Sequence, residues 1–255
     1  MSKANNYKAL IIDVDGTLVP NSRDGKPSLK VQQAIQKASK QLHIGIASGR
    51  PLFLLNEIFD TLSLTGPSII RGGAQIYDAT TKTILWEKAI KKDALTEAAR
   101  TIWGLGHELR MDGEKEEVTL TKSNFPKNVD VFELFVPMLN ESQADLATSK
   151  LSQISTLAIH KVPDWTRGFA LNITHASATK QHGILEVAQT LGIETHEIIA
   201  IGDGGNDLPL LMACGLRVAM GNAFAELKAI ADYIAPSVTE DGVADVIDKF
   251  ILKRT

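Results

Sequence analysis

Short apolar runs alternate with amphipathic helical segments over the first and last thirds of the chain. The runs are rich in β-branched residues, and their alternation with helices is typical of parallel strands joined by crossover helices. The pattern therefore predicts an α/β core, a Rossmann-like parallel sheet. Its predicted strands are ALIID (9–13), HIGIAS (43–48), PSIIRG (67–72), EIIAIG (197–202), RVAMG (217–221) and DYIAP (232–236).

Apolar residues at helical spacing mark the helices that connect these strands. One stripe follows the first strand, a second follows the second strand, and a third lies in the segment ITHASATKQHGILEVAQTLGI. We interpret the stripes as core positions without chemistry. Their members are Val31, Ile35, Ala38 and Leu42, then Leu55, Ile58, Phe59 and Leu62, then Ile184, Leu185, Ala188 and Leu191.

The middle of the chain has a different order of elements, because its strands occur in adjacent pairs. A hairpin in AQIYDATTKTILWE (74–87) precedes a helix at 93–105, strands near 107–112 and 116–121, a helix at 144–154, and strands at 157–162 and 169–174. This order predicts a separate α+β module. We place it at residues 82–176, inserted into a core made of 1–81 and 177–255. The three tryptophans, Trp86, Trp103 and Trp165, fall in or next to it, and we expect each to pack in a core.

Charge and cysteine content exclude several classes of protein. The 27 Lys and Arg residues against 30 Asp and Glu give a net charge of −3, which disfavours a nucleic-acid binder. One cysteine rules out an internal disulfide and a cysteine-based metal cluster. The start, MSKANNYK, does not resemble a signal peptide, and no stretch has membrane-spanning length. We expect a soluble cytoplasmic protein, monomeric or homodimeric, with no nucleic-acid or membrane partner.

Carboxylates cluster where predicted strands end. Asp13 and Asp15 follow the first strand, and Asp203 and Asp207 follow the fourth. Ligands of open parallel sheets bind at the carboxyl ends of the strands, so these side chains are expected at one edge. Four like charges there destabilise a fold unless a cation offsets them, and Mg²⁺ prefers oxygen ligands. The sequence thus predicts a Mg²⁺ site formed by these four aspartates.

The same edge carries groups suited to a phosphate. Thr17 and Ser48 supply hydroxyls, and glycine-rich turns supply free N–H groups. Lys180 stands in the first turn of a predicted helix, where a cation opposes the helix dipole. A solvated surface lysine is the ordinary interpretation of such a position. Because an anionic cluster is expected beside it, we interpret Lys180 as a residue of the site instead of a surface lysine.

These motifs resemble, in order and spacing, those of the haloacid dehalogenase-like phosphatases. The matching residues are DVDGT at 13–17, Ser48 in ASGR, Lys180 ahead of a helix, and GDGGND at 202–207. The long insertion, AMGNA at 219–223 and EDGVA at 240–244 resemble the Cof-type subfamily IIB, which implies a C2B cap over the core. One departure is Arg71-Gly72-Gly73-Ala74, where relatives commonly carry Asn-Gly-Ala or Asn-Gly-Gly-Ala.

The resemblance implies a phosphoaspartyl mechanism with Asp13 as nucleophile and Asp15 as acid and then base. Mg²⁺ is then held by Asp13, the Asp15 backbone carbonyl and Asp203, and by Asp207 directly or through water. Lys180 and Ser48 are expected to hold the phosphate oxygens. The other expected substrate contacts are Thr17, Gly49, Arg50, Arg71 as a cation for anionic leaving groups, and Asn206.

The expected substrate is a small phosphorylated metabolite, a sugar phosphate or a phosphoglycolate-like acid, because a tethered module acts as a lid. Two alternatives remain open from the residues alone. One is a phosphohexomutase of the phosphomannomutase type, and the other is a receiver-like domain that stores phosphate. A dinucleotide-dependent oxidoreductase is disfavoured, since no Gly-x-Gly-x-x-Gly follows the first strand.

Overall fold

The computed structural model describes residues 7–113 and 115–252, which form two β-sheets with helices packed against them. The strands are β1 (Ala9–Asp13), β2 (His43–Ala47), β3 (Pro67–Ile70), β4 (Gln75–Asp78), β5 (Thr83–Glu87), β6 (Arg110–Asp112), β7 (Glu117–Thr119), β8 (Leu134–Leu139), β9 (Leu157–Pro163), β10 (Phe169–His175), β11 (Ile198–Gly202), β12 (Leu216–Ala219) and β13 (Tyr233–Ile234). The helices are α1 (Leu29–Ala38), α2 (Leu52–Leu62), α3 (Lys92–Gly104), α4 (Glu141–Leu151), α5 (Lys180–Leu191), α6 (Leu208–Ala213), α7 (Ala225–Ile230) and α8 (Gly242–Ile247), which a π-helical turn, Asp248–Leu252, extends.

The larger sheet has the strand order β13-β12-β11-β1-β2-β3-β4-β5. Its strands from β13 to β3 pair in parallel, and this confirms the α/β class and all six predicted strands. β1 lies in the middle with every residue buried, because apolar side chains cover it on both faces. Its neighbours β2 and β11 end at the same edge as Asp13, so the loops after these three strands meet there.

The β4–β5 hairpin extends this sheet in antiparallel pairing. Residues 83–87, which we predicted as part of the inserted module, therefore belong to the larger sheet. Sequence pattern does not distinguish these positions, since a hairpin has the same alternation in either sheet.

The smaller sheet has the order β7-β6-β8-β10-β9, and all its pairings are antiparallel. One face is apolar: Leu134 and Val136 of β8 and Leu171 and Ile173 of β10 pack with α3 and α4. Burying each such side chain contributes about 1.5–3 kcal/mol. The alternate positions, among them Phe135 and its cross-strand neighbour Asn172, face the opposite way. That opposite face lies toward the larger sheet and lines a cavity.

The predicted stripes in α1 and α2 are buried as expected, apart from Leu42, which lies beyond the end of α1. In the α5 stripe Ile184 and Ala188 are buried as expected and Leu191 is partly buried, but Leu185 was wrong, because it is 51% exposed and Val187 is buried in its place. Among the described residues, no helix has the length and apolar character that crossing a bilayer requires.

Candidate active site

Three carboxylates meet at the carboxyl edge of the larger sheet. Asp13 ends β1, Asp203 follows β11, and Asp207 lies one turn later in a 3₁₀ segment. One oxygen of each lies within 4.8 Å of the others. Asp13 and Asp207 are buried, and Asp203 is half-buried. Because β1 and β11 end at the same edge of the sheet, three of the four aspartates that we predicted as metal ligands lie together.

Lys180 is buried within this cluster with 2% of its surface exposed. Its Nζ donates hydrogen bonds to Oδ1 of Asp13 and, at 2.6 Å, to Oδ1 of Asp207. Burial by itself lowers the pKa of Lys180, but the two carboxylates outweigh it and raise that pKa. Lys180 is the first residue of α5, so these contacts also offset its unfavourable position at a helix N-terminus.

A single lysine does not balance three carboxylates. Burial raises the pKa of Asp13 well above its usual range, and Asp207 and Asp203 raise it further against the lowering by Lys180. Burial and Asp207 raise the pKa of Asp203 to about 7. A divalent cation relieves this repulsion, and carboxylate oxygens are the donors that Mg²⁺ and similar hard cations prefer. The residues present therefore fit such an ion.

The turn after β1 is built around Asp203. Gly16 has φ +82°, and a Cβ at this position would lie 2.3 Å from Oδ2 of Asp203, so a side chain is excluded. Thr17, which we predicted as a phosphate contact, is 1% exposed and donates its hydroxyl to Oδ1 of Asp203 at 2.8 Å. A hydroxyl has one hydrogen to donate, so Thr17 positions Asp203 in this arrangement. Asn222 supports the turn from AMGNA by donating to the Gly16 carbonyl at 2.8 Å.

Asp15 lines the same cavity as Asp13 and Asp203, and its carboxylate binds Arg50. The Arg50 Nε donates to Oδ2 of Asp15 at 2.9 Å and its Nη2 donates to Oδ1 at 2.6 Å. The same guanidinium donates to the carbonyls of Ser22 and Arg23 at 2.8 and 2.9 Å. We predicted Arg50 as a substrate contact, but in the structure this 4% exposed side chain is a clamp on Asp15.

Trp165, on the loop between β9 and β10, was expected to pack in a core, and this prediction was wrong. Its Nε1 donates to Oδ1 of Asp15 at 3.1 Å, and its ring lies 4.8 Å from the Arg50 guanidinium carbon. The contact joins the smaller sheet to the carboxylate predicted as acid and base. Trp86 and Trp103 pack against the two cores as expected.

The remaining predicted phosphate contacts lie nearby. Ser48 is buried, and its Oγ accepts from the Arg50 amide at 3.0 Å, which leaves the hydroxyl hydrogen available. Gly49 and Asn206 line the cavity. A Cβ on Gly49 would lie 2.7 Å from Nδ2 of Asn172, so glycine allows the smaller sheet to approach β2.

Arg71 does not supply the free cation that we expected. Its Nη1 lies 3.3 Å from Oδ2 of Asp112, which ends β6, and its guanidinium carbon lies 5.9 Å from the ring centroid of Phe132. An ion pair with Asp112 neutralises Arg71. The β6 carboxylate was not evident in the sequence, because nothing local predicts that Asp112 lies opposite Arg71.

The cavity between the two sheets has a volume of about 380 Å³, a size that suits a small metabolite. Its walls come from both sheets, with Asp13 and Asp15 on one side and Asp112 and Glu133 on the other. The cavity residues of the smaller sheet were not predicted from the sequence. Their only local signal is in β6 and β10, where the polar residues Arg110, Asp112 and Asn172 alternate with apolar ones.

A family model described as haloacid dehalogenase-like hydrolase matches residues 10–247. The 5-amino-6-(5-phospho-D-ribitylamino)uracil phosphatase YcsE of Bacillus subtilis is 27% identical, covering 97% of each chain. A phosphoglycolate phosphatase of Methanopyrus kandleri is 28% identical over 95% of this chain and 96% of its own. A sugar phosphatase of HAD subclass IIB, solved as a structure, superposes with a TM-score of 0.78 at 26% identity, over 95% of this chain and 98% of its own.

The family match covers most of the chain, and the relatives align over nearly their full lengths. The match includes β1, β2, β11 and the start of α5, which carry the acidic cluster and Lys180. The chain therefore belongs to the haloacid dehalogenase-like hydrolases, and it is a phosphoric monoester hydrolase with the subclass IIB architecture.

Proposed function

We propose that this phosphatase depends on Mg²⁺ and hydrolyses a small phosphomonoester through a phosphoaspartyl intermediate. One observation carries the proposal: the Asp13 carboxylate lines the cavity and is held by the ammonium of Lys180, which is buried beneath it. A carboxylate fixed in this way is oriented for attack, and the cation beside it offsets the negative charge of an incoming phosphate.

In the first step an Oδ of Asp13 forms a bond to phosphorus while the bond from phosphorus to the leaving oxygen breaks. A protonated Asp15 gives its proton to that oxygen, so the product leaves as an alcohol. In the structure three N–H groups donate to the Asp15 carboxylate, which holds it as a proton acceptor. Oδ2 of Asp15 accepts only one of these bonds, so its second lone pair is the position we assign to the proton that Asp15 gives as an acid.

In the second step a water oxygen attacks the phosphorus of the phosphoaspartate, and Asp15 takes the proton of that water. The bond from phosphorus to Oδ of Asp13 breaks, and inorganic phosphate leaves with the Asp13 carboxylate restored. The arrangement with Arg50 and Trp165 suits this step, because Asp15 is already an acceptor.

The ligands we assign to the metal are Asp13 and Asp203, with Asp207 directly or through water and the backbone carbonyl of Asp15. When bound, the ion supplies positive charge that offsets the phosphate oxygens. We assign contacts with those oxygens to Ser48 and Lys180, which are 1% and 2% exposed, and to Asn206, which lines the cavity.

The substrate is proposed to be small because the cavity is enclosed by two units. We keep the division into a core and an inserted lid, with the first boundary moved from 82 to about 88, since β5 lies in the larger sheet. The names of the relatives also concern small phosphorylated compounds. A cytoplasmic protein, monomeric or homodimeric, remains our expectation.

The test is a rapid-quench experiment with Mg²⁺ and ³²P-labelled acetyl phosphate. Wild-type protein should form an acid-stable phosphoprotein and release phosphate with turnover. Asp13→Asn should form none and lose at least a thousandfold in kcat. A stable phosphoprotein without turnover would indicate a receiver, and isomerised hexose phosphate without phosphate release would indicate a mutase. Wild-type kcat in Asp13→Asn would refute the proposed nucleophile.

A further inference from the structure

Two buried carboxylates of the smaller sheet face the cavity across from the acidic cluster. Glu133 immediately precedes β8, and Asp112 ends β6. In the β6–β8 register Met111 pairs with Leu134, so the next antiparallel pair sets Asp112 opposite Glu133. Both side chains line the cavity.

Glu133 is the more buried member of this pair, and each member has one oxygen without a hydrogen-bond partner among the described residues. Glu133 is 4% exposed, and its Oε1 has no hydrogen-bond partner among the residues that the structure describes. Burial, the first cause, and the neighbouring Asp112 raise its pKa well above the usual range, while Arg71 and a hydrogen bond from Asn172 oppose the rise. A buried acceptor without a partner is unfavourable, so a ligand that donates to it gains affinity.

The cations of this face are already paired. Arg71 lies against Asp112 at 3.3 Å, and Arg110 donates to Glu108 at 2.7 Å and to Glu117 at 2.9 Å. Asp112, Glu133, Glu108 and Glu117 thus set four carboxylates against two guanidinium groups. On the core side Arg50 is occupied by Asp15, and Arg23 lines the cavity at an exposed position, where its charge is solvated. A carboxylate on the leaving group would meet a face with an excess of acceptors.

We propose that Asp112 and Glu133 select a leaving group that presents hydrogen-bond donors, hydroxyl or ammonium, and reject one that presents a carboxylate. This rests on the proposed phosphatase function and narrows it from any small phosphomonoester to sugar-like and amino-sugar-like ones. Rejection follows because a carboxylate brings no donor for Glu133, and the guanidinium groups of the smaller sheet, Arg71 and Arg110, already lie against carboxylates. Phosphoglycolate-like acids, which we expected from Arg71, become poor substrates.

Three phosphate esters of similar size test the proposal: glucose 6-phosphate, glucosamine 6-phosphate and 6-phosphogluconate, with p-nitrophenyl phosphate as reference. For wild-type protein, kcat/KM should be at least tenfold higher for the sugar and the amino sugar than for the sugar acid. Absence of hydrolysis of p-nitrophenyl phosphate would refute the phosphatase itself. If p-nitrophenyl phosphate is hydrolysed, three results would overturn only the proposed selection. These are equal kcat/KM values for the three sugar-derived esters, a higher kcat/KM for 6-phosphogluconate, and no hydrolysis of any of the three.

Two substitutions of Glu133 distinguish an ammonium donor of the substrate from a hydroxyl donor. Glu133→Gln keeps an acceptor oxygen but cannot ionise beside an ammonium, so kcat/KM for glucosamine 6-phosphate should fall at least tenfold and that for glucose 6-phosphate less. Glu133→Leu removes the acceptor and should lower both. The matched control is Glu97→Gln, on the outer side of α3. Activity on p-nitrophenyl phosphate reports that each variant is folded, and an unchanged ranking in both Glu133 variants would contradict the assignment.

Discussion

The indole Nε1 of Trp165 donates a hydrogen bond of 3.1 Å to Oδ1 of Asp15, across 150 residues of sequence. Trp165 belongs to the loop after β9 of the smaller sheet, and Asp15 follows β1 of the larger one. The two units therefore meet at the group that handles protons in the proposed reaction. Docking of the smaller sheet and positioning of Asp15 are coupled through this contact.

Trp165→Phe should lower kcat for alkyl phosphates about tenfold, because it removes the donor and keeps a ring over Arg50. Hydrolysis of p-nitrophenyl phosphate should change less than threefold, since that leaving group needs little protonation. Steady-state kinetics on glycerol phosphate and p-nitrophenyl phosphate make the comparison. Trp103→Phe, at a partly buried position packed against the core of the smaller unit, is the control. Equal losses on both substrates would argue against a role through Asp15.

Arg50→Lys should reduce kcat for alkyl phosphates by about 10- to 100-fold, because a lysine replaces a planar fork that binds both oxygens of Asp15 with a compact ammonium that cannot reproduce it. Both oxygens of Asp15 then lose fixed orientation, and the carbonyls of Ser22 and Arg23 lose their donor. The matched control is Arg217→Lys, which removes a similar fork to Asp232 at the surface. A larger effect on KM than on kcat would instead favour substrate binding by Arg50, as the sequence suggested.

Metal binding should be visible without turnover. At a hundredfold excess over Kd, Mg²⁺ should raise the free energy of unfolding of wild-type protein by about 2.7 kcal/mol, since it binds only the folded site. Thermal denaturation with and without the ion measures this. Asp203→Asn should lose most of the effect, and Asp60→Asn, at an exposed position of α2, should keep it.

Activity should vanish with EDTA, return with Mg²⁺, and recover poorly with Ca²⁺, whose coordination is larger and looser. Full activity of chelated protein would contradict the metal site.

Strand-end positions explain why much of the site was predictable. Asp13, Ser48 and Asp203 each follow an apolar strand, and parallel strands bring such residues to one edge whatever the sequence between them. The position of Lys180 in the site was predictable only because the aspartates had already been predicted to lie at this edge. By contrast, the partners of Thr17 and Arg50 depend on side-chain geometry within the edge, which spacing does not determine.

The wall contributed by the smaller sheet was not predictable. The pairing of Arg71 with Asp112 and the approach of Asn172 to Gly49 depend on how one sheet docks on the other. No periodicity in either segment encodes that docking. The hairpin at 75–87 shows the same limit, since its pattern is equally suited to the sheet on either side of it.

The last prediction concerns the dependence of stability on pH. Burial, the first cause, and Glu117 raise the pKa of Asp112 from its ordinary 3.8 to about 6, against the lowering by Arg71, and Glu133 lies beside it. The folded protein therefore holds this proton more tightly than the unfolded chain does. The contribution of Asp112 to stability is fully present below about pH 4 and is lost as pH rises through 6, a change of about 3 kcal/mol.

Asp112→Asn mimics the protonated form at every pH. The free energy of unfolding of Asp112→Asn minus that of wild type should therefore grow by up to about 3 kcal/mol from pH 4 to pH 7. About half of this growth should occur above pH 5. Urea denaturation in metal-free buffer at several pH values gives the difference, with Asp130→Asn, at an exposed position, as control. A constant difference across this range, or one that falls with pH, would show that Asp112 is ionised without cost in the folded protein.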